Sequence, residues 1–484
     1  MNRFRLFLAV FFASLALLGR LDATVAAITW TGSISPADPN AWTSSTLGYV
    51  GETANGTLAV SGGSDLLSDR VSIASAHSTV GQVTVNGTGS TWTNGGYLNV
   101  GRYGNGTLNI TNGGFVRSDW NYIGSEFGSI GSVTVTGAGS TWTSNGLVCV
   151  GFQGRGTLNI SNGGSVAVAG TTRVAHLESS TGTIDFGSGG GTLTTQSLWA
   201  SPSHLTGTGT ISTRGLVSDV SLVFDASHDL WQTLKFGGIT LNLDLNDPVG
   251  VGDLGAGYRG TGSLLIQDGV AVQSKLGQIG ARPDSVGTAT VRGAGSNWTT
   301  SSDLGVGVMG HGRLTVTDGG AVSCFNGYVA FDNDATGVAT VEGVGSKWII
   351  RRALSLGSWQ LGTLTITEGG LVSVGTTLTT DKAGIINMAT GGMLALYGDA
   401  DDSLGEFLNL AKRTDAIRYW NAALDDWAPI TAATPGVDYT LAYIDDVGGS
   451  LHGYTLLTVG VIPEPGTLAM VFLGAFAMLM RRYR

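Results

Sequence analysis

The sequence is poor in charge, in cysteine and in basic residues. Charged side chains make up only 12% of the 484 residues, about half the usual fraction. Two cysteines, Cys149 and Cys324, are too few for a disulfide-stapled scaffold, and we interpret both as small buried apolar residues. Acidic residues outnumber basic ones by 35 to 25, which gives a net charge of −10. A nucleic-acid partner is not expected, because such binders usually carry a basic face.

The motifs of common catalytic and metal sites are also missing. The six histidines are scattered without metal-ligand spacing, and there is no phosphate-binding loop or nucleophile elbow. The acids open to a polysaccharide-cleaving enzyme are Asp244, Asp247 and Asp253, with Asp332 and Asp334 in an Asp-Asn-Asp run. That run lacks the glycine and the closing glutamate of a calcium loop. The sequence predicts no cofactor, no metal and no catalytic residue.

Glycine and short apolar runs are what the sequence has in abundance. Glycine supplies 78 of the 484 residues, and apolar residues supply 42%. The absence of a Gly-X-Y period excludes collagen. Glycine together with Thr, Ser, Val, Leu and Asn indicates many short strands joined by tight turns.

A repeat of 50 residues runs through most of the chain. It is marked by leucines spaced 50 residues apart in two series, Leu58, Leu108 and Leu158, then Leu264, Leu314 and Leu364. A Gly-Ser-x-Trp motif lies 34 residues after four of these leucines, at Trp92, Trp142, Trp298 and Trp348. This register across two separated series indicates one structural unit that is used repeatedly.

Each unit divides again into halves of about 25 residues. Residues 107–111 alternate polar and apolar, as a half-buried strand does, and Asn112, Gly113 and Gly114 supply a corner. Units of this length predict coils that are buried only by their neighbours. The predicted fold is an all-β, right-handed parallel β-solenoid, with the hand taken from the general crossover rule.

The repeated tryptophans, Trp92, Trp142, Trp298 and Trp348, admit two interpretations. An exposed ladder of indole rings could stack on sugar rings. Alternatively, each ring covers a corner of the fold, and we favour this role because fold constraints alone recur in every unit.

The repeat columns divide the chain into segments. Two solenoid arrays at 28–190 and 251–395 flank irregular connecting coils at 191–250. A small α/β cap is predicted at 396–460, because the last coil of a solenoid needs a cover. An amphipathic helix from Leu404 to Trp420 is expected within this cap.

The first 27 residues have the pattern of a signal peptide. Arg3 and Arg5 precede an apolar stretch from Leu6 to Leu18, and small residues lead to a predicted cleavage point at Ala27. The chain is therefore expected to be exported across the inner membrane by the general secretion machinery.

The last 24 residues, 461–484, contain three parts in order. Pro463, Glu464 and Pro465 precede an apolar run, and the chain closes on basic residues that include Arg481 and Arg482. This arrangement resembles the PEP-CTERM sorting signal. The resemblance implies a C-terminal hydrophobic helix held transiently in the inner membrane of a Gram-negative bacterium, an exosortase-type enzyme as partner, and a setting of exopolysaccharide production.

The 50-residue unit itself resembles the β-strand repeat shared by PEP-CTERM proteins and autotransporter (type V secretion) passengers. The sequence has no room after the repeats for an autotransporter barrel. We therefore expect a non-catalytic structural or adhesive protein at the cell surface or in the extracellular matrix, in contact with exopolysaccharide or cell-surface glycans. The alternatives are a polysaccharide lyase or hydrolase, and a carbohydrate-binding protein that uses the repeated tryptophans.

Overall fold

The computed structural model describes residues 26–247, 250–381, 383–411 and 415–460. Nearly all of the predicted signal peptide therefore lies outside the described residues. The predicted sorting tail, with Pro463, Glu464, Pro465, Arg481 and Arg482, lies outside them too. Ala27, the predicted cleavage point, is described and begins the first strand, Ala27–Gly32.

The chain folds into a parallel β-solenoid of about 14 turns, each of about 25 residues, which confirms the predicted architecture. One coil contains three strands, for example Asn105–Thr111, Phe115–Ser118 and Trp120–Ile123. We call these positions the first, second and third strand of a coil. Each strand pairs in parallel with its equivalents in the coils before and after it, so that Leu108 stands beside both Val83 and Val133.

The inward columns of apolar side chains explain why this sequence forms coils. In Asn105–Thr111 the residues alternate between buried and partly exposed, and Leu108 and Ile110 are fully buried. Equivalent side chains stack along the axis at the strand spacing of about 4.8 Å. Burial of each such side chain stabilises the fold by about 1.5–3 kcal/mol, but only when a neighbouring coil is present.

The strands follow the three positions throughout the described chain. The first strands are Gly56–Ser61, Val80–Asn86, Asn105–Thr111, Ile130–Thr136, Arg155–Ser161, Thr181–Asp185, Leu205–Thr206, Ser221–Phe224, Thr261–Ile266, Val286–Arg292, His311–Thr317, Thr336–Glu342, Gly362–Thr367, Gly384–Met388 and Ile417–Asn421. The second strands are Asp65–Ser68, Thr91–Asn94, Phe115–Ser118, Thr141–Ser144, Thr208–Thr213, Gly238–Asp244, Ala271–Ser274, Asn297–Thr300, Ala321–Cys324, Lys347–Ile350, Leu371–Val374 and Gly392–Tyr397. The third strands are Leu47–Val50, Arg70–Ile73, Tyr97–Val100, Trp120–Ile123, Val148–Val150, Leu216–Ser218, Leu254–Ala256, Gly277–Ile279, Leu304–Val306, Gly327–Val329, Ala353–Leu356 and Thr377–Thr380. Ser165–Val174 and Thr192–Trp199 each serve as second and third strand together.

The predicted interruption at 191–250 affects only part of each coil. The third strands continue through it, since Trp199 pairs with Val217 and Val217 pairs with Gly255. The sheet of first strands stops at Leu205–Thr206 and starts again at Ser221–Phe224. An antiparallel hairpin, Trp231–Phe236 with Gly238–Asp244, adds to the second strands, where Gly238–Asp244 pairs in parallel with Thr208–Thr213. The two arrays are therefore one solenoid that is continuous along its third strands.

Antiparallel strands end the solenoid on both sides. At the start, Ala27–Gly32 pairs with Gly56–Ser61, and Ile34–Ser35 pairs with Leu47–Val50. At the end, Tyr454–Val459 pairs with Gly392–Tyr397 and with Tyr439–Ile444. Asp426–Pro429 closes the last first strand in the same way. Strands that reverse direction in this way cover the edges that a parallel ladder would leave open.

The predicted helix from Leu404 to Trp420 is wrong in its length. The α-helix spans only Leu404–Leu410, with Ser403 capping it by accepting from the backbone N–H of Glu406 at 3.4 Å. Ile417–Asn421 is instead a strand, paired in parallel with the last coil at Ile386–Met388. Its β-branched and aromatic residues fit an open sheet edge better than a helix. The other helices in the described ranges are 3₁₀ turns at Pro39–Ala41, Pro202–His204 and Ile430–Ala432.

Candidate functional site

The repeated tryptophans do not form a sugar-stacking ladder. Trp92, Trp142, Trp298 and Trp348 are all fully buried in the core of the solenoid. Each lies in a second strand and stacks on smaller apolar residues in the adjacent coils, as Trp142 does between Val116 and Val166. The glycan-stacking interpretation of these four residues is therefore wrong, because no ligand reaches them.

A serine in the preceding coil explains how a polar indole fits in this core. The indole N–H groups of Trp92, Trp142 and Trp298 donate to the hydroxyls of Ser68, Ser118 and Ser274 at 2.9–3.0 Å. Cys324 holds the equivalent position below Trp348, whose indole N–H has no hydrogen-bond partner of ordinary length although it lies next to the thiol. Coils with a tryptophan thus alternate with coils whose second strand ends in a small side chain below the indole, which is why the repeat needs two coils.

The serine of Gly-Ser-x-Trp has a separate task at the corner. Ser140 accepts from the backbone N–H of Gly113 in the preceding coil at 3.0 Å and donates to the carbonyl of Thr136 at 2.8 Å. Gly113 has φ of 85°, a conformation that glycine adopts without strain. The serine of the motif therefore fixes the corner and the tryptophan fills the core, so both residues have structural roles.

Exposed aromatic residues lie on a different side of the solenoid. We call it the third-strand side, and it consists of the outward side chains of the third strands and of the loops that follow them. In the first array the outward positions hold Tyr49, Tyr97, Trp120 and Tyr122, and a following loop holds Phe152. Tyr97 and Trp120 are 43% and 47% exposed, in contrast to the tryptophans of the core.

Four of these rings, Tyr97, Trp120, Tyr122 and Phe152, form a continuous row, and Tyr97, Tyr122 and Phe152 also line an open groove of about 390 Å³. The ring centres of Tyr97 and Trp120 are 6.5 Å apart, and those of Tyr97 and Tyr122 are 6.3 Å apart with planes inclined by 20°. Phe152 meets Tyr122 edge-on at 5.2 Å. The row crosses three coils, because Trp120 and Tyr122 belong to one coil, Tyr97 to the coil before it and Phe152 to the coil after it.

Polar side chains lie between these rings in the same groove. Asn99 donates to the hydroxyl of Ser72 and accepts from the hydroxyl of Ser125, each at 3.4 Å, which links three successive coils. The guanidinium group of Arg70 lies over the ring of Tyr97 at 5.8 Å. Arg102 and Glu126 complete the charged lining. Burial, with the neighbouring Tyr97 as a smaller cause, raises the pKa of Tyr122, so its hydroxyl stays neutral and can donate.

The middle of the third-strand side is closed by a packed cluster. Trp199, Val217, Tyr258 and Ala281 are buried together outside the main core, and the rings of Trp199 and Tyr258 meet edge-on at 6.0 Å. The phenol of Tyr258 donates to the carbonyl of Val174 at 3.0 Å, across 84 positions of sequence. One coil between them carries no protruding loop, since Ser221–Phe224 follows Leu216–Ser218 almost directly.

Three arginines and a histidine complete this cluster. Arg282 donates to Nδ1 of His176 at 2.7 Å, and Arg259 donates to the carbonyls of Ala175 and Leu177 at 2.7 and 2.9 Å. Burial, and then the positive charges of Arg282 and Arg173, lower the pKa of His176 to about 3. The imidazole is therefore neutral and acts as an acceptor. We interpret the cluster as a clasp between the two arrays.

The candidate catalytic acids do not form one site. Asp244 lines a cavity of about 480 Å³ with Trp231 and Arg214, and Arg214 also forms an ion pair with Asp247 at 3.2 Å. Asp253 is buried elsewhere, where its carboxylate accepts from the indole N–H of Trp199 at 2.9 Å, and burial raises its pKa. Asp244 accepts from the backbone N–H and the side-chain amide of Asn246, each at 3.0 Å, so each of the three acids has its own structural partner.

The cysteines and the remaining acids give no second site. Cys149 and Cys324 are free and buried, as expected, and burial raises the pKa of each thiol to about 12. Within the described ranges, no group of three or more His, Cys, Asp or Glu side chains could hold a metal ion. No helix among those residues is long and apolar enough to cross a membrane.

The chain matches no family model, no curated protein and no solved structure. The groove itself was missed from the sequence, because its rings occupy columns that hold other residue types in other coils. Tyr122, for example, takes the place of Asn99 in one adjacent coil and of Cys149 in the other. The sequence feature that could have revealed the groove is the presence of aromatic residues at outward positions of the strands where the equivalent residues of neighbouring coils are not aromatic.

Proposed function

We propose that this protein is an exported, non-catalytic scaffold of the cell surface or extracellular matrix that adheres to polysaccharide through the groove of the third-strand side. One observation carries the proposal: Tyr97, Trp120, Tyr122 and Phe152 form a row of accessible rings on a rigid ladder. Rings that serve only to pack the core would be buried, so a row of rings on the surface indicates a role in binding.

The chemistry of the groove suits a sugar chain. A pyranose ring presents C–H groups on its faces and hydroxyls around its edge. The faces stack on aromatic rings, and the hydroxyls find donors and acceptors in Ser72, Asn99 and Ser125. Successive coils are about 4.8 Å apart, a spacing close to the length of one pyranose along a chain. A polysaccharide lying along the axis would therefore advance by about one sugar ring per coil.

Export and surface sorting rest on the sequence features of the two ends. A tag in the turn at Gly104 would report where the protein resides in its native bacterium. Surface or matrix material whose mass lacks the segment after about Pro463 supports sorting. Full-length protein retained in the inner membrane would remove the surface role.

Binding is tested with purified alginate, xylan, dextran and hyaluronan in affinity electrophoresis. We expect wild-type protein to be retarded by at least one of these polymers. Tyr97→Ala and Trp120→Ala should each weaken that binding about tenfold, equivalent to about 1.4 kcal/mol. Trp420→Ala, an exposed ring in the C-terminal cap, is the matched control. Equal retardation of Tyr97→Ala, Trp120→Ala and wild type would exclude the groove as the binding site.

A further inference from the structure

A second group of exposed rings lies on the third-strand side in the other array. We call it the distal aromatic cluster: Tyr328 lies in a third strand, and Phe331 and Trp359 lie in loops that follow third strands. Phe325 and Arg352, which complete it, lie in the turns that lead into third strands. Tyr328 and Phe331 meet edge-on at 5.1 Å, and the guanidinium group of Arg352 lies over Phe325 at 5.8 Å. Trp359 is 68% exposed, so this cluster is open to a ligand.

The distal aromatic cluster shares several features with the groove, although Tyr328 and Phe331 lie in one coil whereas Tyr122 and Phe152 come from successive coils. Tyr328 occupies the same outward position of its third strand as Tyr122, one residue before the buried Val329 or Ile123. Phe331 and Phe152 both lie two residues after the end of a third strand. The two edge-on ring pairs are also alike, at 5.1 Å and 74° against 5.2 Å and 70°. Arginine lies over an aromatic ring in both places.

The distance between the groove and the distal aromatic cluster follows from the number of paired third strands that separate them. Eight pairings of third strands lead from Trp120–Ile123 to Gly327–Val329, which corresponds to about 38 Å at about 4.8 Å a coil. Between them the clasp of His176, Tyr258 and Arg282 closes the side. The third strands run through without a break, so the two places are held at a fixed separation on one side of a rigid body.

We propose that the distal aromatic cluster is a second polysaccharide-binding site, and that one long chain lying along the third-strand side occupies both sites at once. This inference rests on the proposed function of the groove and adds the size of the ligand: a polymer that spans about 38 Å. Each site alone binds a short fragment weakly. A chain that reaches both gains from the high effective concentration at the second site, which raises affinity by about 10²-fold or more without any new contact.

The test compares long and short forms of one polymer. The probe is whichever of alginate, xylan, dextran or hyaluronan binds wild-type protein, used intact and as size-fractionated fragments too short to span the gap. Titration calorimetry measures affinity and stoichiometry for wild type, for Tyr97→Ala/Trp120→Ala, for Phe325→Ala/Trp359→Ala, and for the variant that combines all four changes. Circular dichroism and the unfolding midpoint check that each variant folds, and Trp420→Ala is again the control.

We expect wild type to bind two short fragments per chain and each double variant to bind one. The long polymer should bind wild type about 10²-fold more tightly than a fragment, and both double variants should lose that advantage. One fragment per wild-type chain, together with unchanged long-chain affinity in Phe325→Ala/Trp359→Ala, would overturn the second site while leaving the groove intact. Failure of short fragments to bind wild type at all would instead overturn the proposed function itself.

Discussion

A tryptophan in a dry core needs a partner for its indole N–H, and this requirement explains much of the repeat. A buried donor without an acceptor costs about 1–3 kcal/mol. The chain meets the requirement by placing Ser68, Ser118 and Ser274 one coil before Trp92, Trp142 and Trp298. The serines and the tryptophans therefore act as hydrogen-bonded pairs, and the two members of each pair lie in successive coils.

Removal of one such acceptor should be measurable. We expect Ser118→Ala to lower the free energy of unfolding by about 1–3 kcal/mol, because the indole N–H of Trp142 would lose its acceptor. Cys324→Ser should do the reverse and stabilise by about 0.5–1.5 kcal/mol, since it gives Trp348 an oxygen acceptor. Urea unfolding followed by circular dichroism measures both, with Ser263→Ala in a first strand as control. Equal stability of Ser118→Ala and wild type would contradict this role.

His176 makes stability depend on pH in a predictable direction. Its pKa in the folded protein is about 3, whereas an unfolded chain has about 6.5. Between these values the unfolded chain binds a proton that the folded chain does not, so stability falls as pH falls. His176→Asn keeps an acceptor for Arg282 but cannot be protonated. We expect this variant to lose less stability than wild type between neutral pH and about pH 5, as measured by the unfolding midpoint at each pH. An identical loss in both proteins would show that His176 is not buried as described.

At the scale of the coil, glycines in strands and turns set how closely neighbouring backbones approach. A Cβ on Gly106 would lie 2.0 Å from the backbone nitrogen of Gly101, whereas a Cβ on Gly128 would have no heavy atom within 4 Å. The first position is thus required by contact between chain segments. The second needs glycine only for its φ of 78°.

These two positions give a matched pair of substitutions. Gly106→Ala should destabilise by about 3 kcal/mol or more, since rigid backbone must move. Gly128→Ala should cost about 1 kcal/mol for its left-handed conformation alone. Thermal unfolding of the two variants side by side measures the difference. A cost for Gly106→Ala no greater than that for Gly128→Ala would mean that the coils are not packed as closely as they are here.

The repeat made the coils predictable, but not the features that differ between coils. Columns such as Leu58, Leu108 and Leu158 recur, so their burial and the strand around each could be inferred from period alone. Tyr97 and Trp120 do not belong to a column of aromatic residues that recurs in every repeat, and only the folded solenoid brings the two rings side by side. The end of the helix at Leu410 was missed because Ile417 and Tyr419 satisfy a helical pattern as well as an alternating one, and pairing with the last coil decides between them.

At the scale of the molecule, continuity of the third strands is the central feature. First and second strands are interrupted near the middle, yet the side that carries the groove and the distal aromatic cluster is unbroken. Reversed strands close both ends, which favours a single rigid body over end-to-end association. A body of this kind suits a role in which binding sites must be held apart at a fixed distance, as adhesion to a long polymer requires.

Saturation-transfer NMR tests the central claim most directly. Protein protons are irradiated in the presence of fragments of the bound polysaccharide, saturation spreads through the protein, and it passes most strongly to the ligand protons closest to the protein surface. We predict transfer to the C–H protons on one face of the pyranose, strongly reduced in the variant that lacks Tyr97, Trp120, Phe325 and Trp359. Transfer that persists undiminished in this folded variant would contradict the account, because the sugar would then be bound elsewhere.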